Sequence, residues 1–266
     1  MPGPALTFSR SRRRFGGWAS IAALGTVGWA APALAAGLVR VVAAAKASVV
    51  AVGAFDPLAS PRFSFRGTGF VVGDGRQVVT NFHVLPGDEQ NPGRVVVMVP
   101  GAAGLPPQMR DATLTATSVD HDLALLTLTG PALPALPLSA RTVLDDGTDV
   151  AMIGFPLGAA LGLTPVTHRG IIAATTAIAL PPPTTRQLDA KTLNRLRQGP
   201  FDVYQLDATA YPGNSGSPLL DAETGEVLGV VNMVFVKGTK ESALSAPSGI
   251  SYAIPVRHVV SLIAGR

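Results

Sequence analysis

Between residues 48 and 254 the chain consists of short apolar runs of about five or six residues, each closed by Gly, Pro, Asn or Asp, a rhythm that leaves little room for long helices. Ser48-Val49-Val50-Ala51-Val52, Gly67-Thr68-Gly69-Phe70-Val71-Val72 and Gln77-Val78-Val79-Thr80 are rich in β-branched residues and read as strands. Gly73-Asp74-Gly75 between the last two is a hairpin turn signal. Further strands are expected at 94–99, 113–119 and 123–128, then at 149–153, 170–175, 203–207, 218–220, 227–233 and 250–254. The uncharged, Pro-rich stretch 130–137 separates the two groups. About six strands on either side of a breaker predict an all-β fold of two six-stranded antiparallel barrels, followed by a short amphipathic helix at 256–264. The expected organisation is a leader at 1–35, a first barrel at 36–129, a linker at 130–138, and a second barrel with the terminal helix at 139–266. Residues 37–47 read as a short helix or an arm, and 181–200 as an inserted loop with a helical turn near 189–197.

Composition excludes several functions. Four of the 21 basic residues (Arg10, Arg12, Arg13 and Arg14) lie in the first 35 positions, which contain no acid. The rest of the chain carries 17 basic against 17 acidic residues, so nothing drives the counterion release that nucleic-acid binding needs. Ser11-Arg12-Arg13-Arg14-Phe15 and the uncharged stretch to Ala35 resemble a twin-arginine export signal, with Ala33-Leu34-Ala35 as a cleavage site behind Pro32, read as a helix breaker. An uncleaved anchor is the alternative, and either form takes the body across a membrane to the periplasm or outside. Membrane contact is expected for export only. The chain has no cysteine, so it has no disulfide, Cys nucleophile or cysteine zinc site.

The chemistry centres on Tyr211-Pro212-Gly213-Asn214-Ser215-Gly216-Ser217-Pro218. A nucleophilic serine needs a tight turn and adjacent N–H groups for a developing oxyanion, and Gly213 and Gly216 permit the torsions such a turn requires. A plain surface turn is the bland alternative. The strand–Ser–helix elbow does not fit, because Ser217 replaces its last glycine and 218–225 reads as a hairpin. The remaining design has the order His, Asp, Ser. Of four histidines, His83 ends a hairpin, His121 adjoins Asp122, His168 sits in a turn and His258 lies on the tail helix. Asp122 opens the apolar run Leu123-Ala124-Leu125-Leu126, which would carry its carboxylate inside, with Asp120 as the near rival. His83, Asp122 and Ser215 are therefore the expected triad, with Gly213, Asn214 and Ser215 supplying the oxyanion site.

These segments resemble the HtrA/Deg branch of trypsin-like serine proteases. The likeness runs through Gly67-Thr68-Gly69-Phe70, Thr80-Asn81-Phe82-His83-Val84, Asp122-Leu123-Ala124-Leu125, Gly154-Phe155-Pro156-Leu157-Gly158 and Gly170-Ile171-Ile172. It continues through Gln205-Leu206-Asp207-Ala208, Gly213-Asn214-Ser215-Gly216 and Gly249-Ile250-Ser251-Tyr252-Ala253-Ile254-Pro255. It implies two barrels with the triad at their seam, acting on unfolded or extended polypeptides without metal or cofactor. Ser217-Pro218 is closer to the glutamyl-endopeptidase branch, which leaves narrow specificity as an alternative, as is a retired protease fold that only binds. Relatives activated by proteolysis carry Asp before the serine to pair with a new N-terminus, and neutral Asn214 makes no such ion pair. The chain ends about eleven residues past Pro255, where such proteins normally continue into a PDZ module, and no trimerising aromatic arm stands in 36–47; the oligomeric state stays open. Substrate is expected to pair along Val231-Asn232-Met233, with Thr209, Ala210, Val234 and Phe235 completing an uncharged pocket that favours small or medium apolar residues.

Overall fold

The computed structural model describes residues 1, 3, 31–87, 94–101, 105–158, 162–178, 201–232 and 249–265, with side chains from Gly37 onward after the first helix turn. The twin-arginine segment and the 181–200 loop lie outside the described residues. Helix α1 (Ala31–Ala45) leads into β1 (Val49–Phe55), β2 (Phe63–Val72), β3 (Gln77–Asn81), β4 (Val95–Val99), β5 (Gln108–Ser118) and β6 (Leu123–Leu128). The second group is β7 (Asp149–Gly154), β8 (Val166–Ile178), β9 (Phe201–Asp207), β10 (Pro218–Asp221), β11 (Val227–Asn232) and β12 (Ile250–Pro255), closed by helix α2 (Val256–Ala264).

Each group forms a closed antiparallel barrel, ordered β1-β2-β3-β6-β5-β4 and β10-β11-β12-β9-β8-β7, as the strand pattern predicts. The strands read as continuous apolar runs because most are covered on both faces. In β6, Ala124 and Leu126 fill the first barrel with Val50, Val71, Val78 and Val97. Leu123 and Leu125 point the other way, to a seam core shared with Phe155, Leu220, Val230 and Ile254 of the second barrel. Each such side chain contributes about 1.5–3 kcal/mol when fully buried, so the seam holds the barrels in one orientation. Helix α2 reinforces it, burying Val256, Val259 and Leu262 while touching β5 and β6 on one side and β11 and β12 on the other.

The Pro-rich segment is a stitch between barrels. Leu133 and Leu136 donate N–H bonds to Gly75 and Val71, then Pro137 accepts from Val227 and Ser139 donates to Val227. Two sequence expectations need adjustment. β2 begins at Phe63, four residues ahead of the strand expected at Gly67–Val72. α1 starts at Ala31, so Pro32 opens a helix instead of breaking one; in a first turn its missing N–H forfeits no bond. Val41, Val42 and Ala45 of this helix pack on the seam core. No helix among the described residues is long and apolar enough to cross a membrane.

Candidate active site

β3 and β6 are paired neighbours, with Asn81 opposite Leu123, so the chain leaving β3 and the chain entering β6 meet at one end of the first barrel. Phe82–Val84 forms a single 3-10 turn that presents His83, and Val119–His121 forms another that ends on Asp122. Asp122 has φ 51° and ψ 44°, a left-handed conformation that a side chain tolerates only when its surroundings enforce it. They do so here: the Asp122 carbonyl accepts from the Phe82 N–H and the Asn81 side chain, both at 3.0 Å.

The carboxylate is buried and fully engaged. Its Oδ1 accepts the His83 backbone N–H at 2.9 Å, and its Oδ2 accepts His83 Nδ1–H at 2.5 Å. Asn232 Nδ2 donates to the same Oδ2 at 2.6 Å. With Nδ1 carrying the proton, His83 Nε2 is left as the acceptor nitrogen, the tautomer a general base needs.

Ser215 sits in two consecutive turns. Asn214 N–H donates to the Tyr211 carbonyl at 2.9 Å, and Gly213 at the third position has φ 103°, the type II pattern favoured by Pro212-Gly213. Ser217 N–H then donates to the Asn214 carbonyl at 3.0 Å, with Gly216 at φ 86°. Asn214 N–H is therefore spent on closing the first turn and is unavailable as an oxyanion donor, correcting that part of the sequence expectation. Among the described residues, no acceptor faces the N–H of Gly213 or Ser215. Two such N–H groups beside one serine are the donors an oxyanion site requires.

Thr68 of the first barrel clamps this turn of the second. Its N–H donates to the Ser215 carbonyl at 2.8 Å, its hydroxyl donates to the Gly213 carbonyl at 2.7 Å and accepts from the Phe155 N–H at 3.1 Å. Thr80 Oγ1 donates to the Thr68 carbonyl at 2.6 Å. The approach is so close that a Cβ on Gly216 would overlap the Thr68 carbonyl. On the far side Gly216 N–H donates to the Val231 carbonyl, next to Asn232 and its bond to Asp122. A continuous set of short bonds thus links the Ser215 turn to the His83–Asp122 pair.

Sequence reasoning missed Thr68, visible only as the polar residue between Gly67 and Gly69, and misassigned Val231. Val231 is fully buried with its N–H and C=O engaged by Ser217 and Gly216, so it has no backbone group left for a substrate. Asn232 turns its side chain to Asp122 and supports the pair from behind, so its side chain does not line a substrate pocket. Thr209 is half-buried and Ala210 buried just ahead of the turn, while Met233, Val234 and Phe235 lie outside the described residues. Among the described residues no cluster of His, Asp and Glu is arranged to hold a metal.

The other histidines form separate structures. His121 and His258 stack at 4.0 Å between ring centroids, with Phe201 edge-on to both. Burial is the largest influence and lowers both, His258 to about 4; the neighbouring ring and Arg257 push it further in that direction, and Asp120 partly opposes the shift at His121. His168, lowered by burial, leans on the Tyr211 ring at 5.9 Å.

A family model described as the trypsin-like peptidase domain matches residues 67–230, spanning both barrels and the Ser215 turn. The chain belongs to this family. Serine protease HTRA1A of Danio rerio is 32% identical over 199 residues, covering 74% of this chain and 34% of that protein. A probable periplasmic DegP-like serine endoprotease of Halomonas elongata is 30% identical over 194 residues, 71% of this chain and 32% of the relative. The peptidase domain thus spans about a third of the length of these curated relatives. The solved Rv3671c protease from M. tuberculosis H37Rv, in an inactive form, matches with a TM-score of 0.59 and 25% identity, covering 88% of this chain and 95% of that one. The HtrA-like trypsin fold expected from the motifs is upheld.

Proposed function

We propose that this domain is an exported serine endopeptidase that cleaves extended polypeptide segments through an acyl-enzyme. The observation that carries the reading is the Ser215 turn, whose Gly213 and Ser215 N–H groups have no acceptor among the described residues, tied through Val231 and Asn232 to the His83–Asp122 pair. Ser215 Oγ attacks the peptide carbonyl while His83 Nε2 takes its proton, and Asp122 holds the ring and stabilises its charged form. The Gly213 and Ser215 N–H groups stabilise the oxyanion; His83 then protonates the departing amine, and water hydrolyses the ester by the same route. Export is supported by the twin-arginine-like leader and by relatives named periplasmic.

The test is a fluorophosphonate probe with peptide hydrolysis. The wild-type protein is expected to be labelled and active, and Ser215→Ala to be neither, with urea stability unchanged. His83→Ala should lose nearly as much activity, because losses within a triad do not add. Labelling that persists in Ser215→Ala would place the nucleophile elsewhere. A folded protein with neither labelling nor hydrolysis would favour the retired, binding-only form of the fold.

A further inference from the structure

We infer that Arg66 makes this domain select substrates with an acidic residue within two positions after the scissile bond. The inference rests on the peptidase reading for its direction: His83 protonates the departing amine, so the departing half leaves on the His83 side of Ser215.

That side is built from the first residues of β2. Phe65 forms its floor, with its ring packed so closely that a Cβ on Gly213 would lie 3.0 Å from it and one on Gly158 would overlap it. Gly67, two residues on, sits between Val84 and the Ser215 carbonyl, 2.9 Å from where a Cβ would stand. Arg66 lies between these two. In the pairing with β1, Phe65 faces Gly53 and Gly67 faces Val52, so Arg66 is the extra residue of a β-bulge. Bulges beside active sites re-aim a side chain out of strand alternation. Here the re-aimed side chain reaches the turn that carries the base: Arg66 Nε donates to the Val84 carbonyl at 2.8 Å, one residue past His83.

That single bond fixes the guanidinium by its Nε and leaves both Nη groups, the pair suited to forking onto a carboxylate. Arg94, Arg141, Arg169 and Arg257 each face an Asp, whereas Arg66 is exposed and has no carboxylate partner among the described residues. The same stretch of β2 pairs with β1 on one edge, while β3 joins the other edge only from Gly69 onward. No described strand covers that edge at 63–67, so an extended departing segment can lie along it, which brings its side chains to Arg66.

Binding is read first, in the Ser215→Ala protein, with fluorescent peptides that differ only by Glu or Lys at the two positions after the bond. The Glu peptide is expected to bind about tenfold more tightly, a difference of about 1.4 kcal/mol, and the preference should shrink at high salt. Arg66→Gln, which keeps an N–H for Val84, should bring the ratio close to one, and Arg66→Glu should invert it. The same peptides are then given to the protein with Ser215 intact. Charge-selective binding without hydrolysis or probe labelling would defeat the peptidase reading and leave the role of Arg66 standing. Hydrolysis indifferent to charge, or binding that is absent or unchanged in Arg66→Glu, would overturn the inference.

Discussion

The stacked pair His121–His258 should make this domain lose stability between pH 6.5 and pH 4 through a route that a single substitution removes. His258 projects from α2 onto His121, the residue before Asp122, and its Nε2 is buried with no hydrogen-bond partner among the described residues. Burial, the His121 ring and Arg257 together hold it at about 4 against an ordinary value of 6.5. The folded value is depressed, so above pH 6.5 neither state binds the proton and nothing is lost. As pH falls below 6.5 the unfolded chain takes up a proton that the folded state refuses, and stability declines until the folded value is reached near pH 4. The fall from 6.5 to about 4 corresponds to at most about 3.4 kcal/mol. The ring is half-buried, so solvent screening reduces this to roughly half, about 1.5–2 kcal/mol.

The groups facing the pair are Arg257 from α2 and Asp120 from the turn before Asp122, with Asp202 of β9 lying 3.9 Å from Arg257. Only His258 is altered in His258→Phe, which keeps an aromatic ring against His121 and Phe201. Urea unfolding of both proteins at pH 7.5 and pH 4.5 gives the comparison. The wild type should lose about 1.5–2 kcal/mol more than the variant over that interval, with similar m-values. Equal losses would mean that His258 is protonated as readily in the fold as in the unfolded chain, and the burial argument would fail.

Asn232→Ala should reduce kcat/KM by roughly 10- to 100-fold with the fold intact, since a hydrogen bond to a charged group is worth about 1.5–3 kcal/mol; unchanged turnover would show that Asn81 and the His83 N–H hold Asp122 unaided. Gly154→Ala should cost about 1–3 kcal/mol in urea unfolding, because its Cβ would overlap the Ser217 hydroxyl and approach Asn214 Oδ1 to 2.8 Å, and Ser217→Gly in the same chain should recover part of the loss. Replacing Arg12 and Arg13 by Lys should trap the precursor in the cytoplasm, whereas undiminished export on fractionation would point to the general secretory route.

The barrels were legible in the sequence because closing a small barrel demands short strands with turn residues between them, and both faces of most strands are buried. The periodicity and the Gly/Pro punctuation therefore carry nearly the same message twice. His83, Asp122 and Ser215 could be singled out as the proposed triad because order and local context narrow the candidates: a histidine at a hairpin end, an acid entering an apolar strand, a serine between two glycines. What the sequence concealed is everything decided by contact across the seam. Thr68 looks like one more polar strand residue until the Ser215 and Gly213 carbonyls are seen on it. Asn232 looks like one more polar strand residue until its amide is found on Asp122, 110 positions away in sequence. Asn214 carries an N–H whose place beside Ser215 suggests an oxyanion donor, but the bond to the Tyr211 carbonyl already uses it.

Ser217 shows why such contacts resist a linear reading. In sequence its hydroxyl pointed only to the glutamyl-endopeptidase branch, and Gly154, sixty-three positions earlier, only opened one more segment of the family likeness. In the fold they are one feature, because the space a side chain at 154 would occupy holds the Ser217 hydroxyl, Asn214 Oδ1 and Thr68 Oγ1. The Ser215 turn, its clamp and the end of β7 therefore compete for one small volume. A substitution at any of them is felt at Ser215 through packing, before any catalytic group is altered.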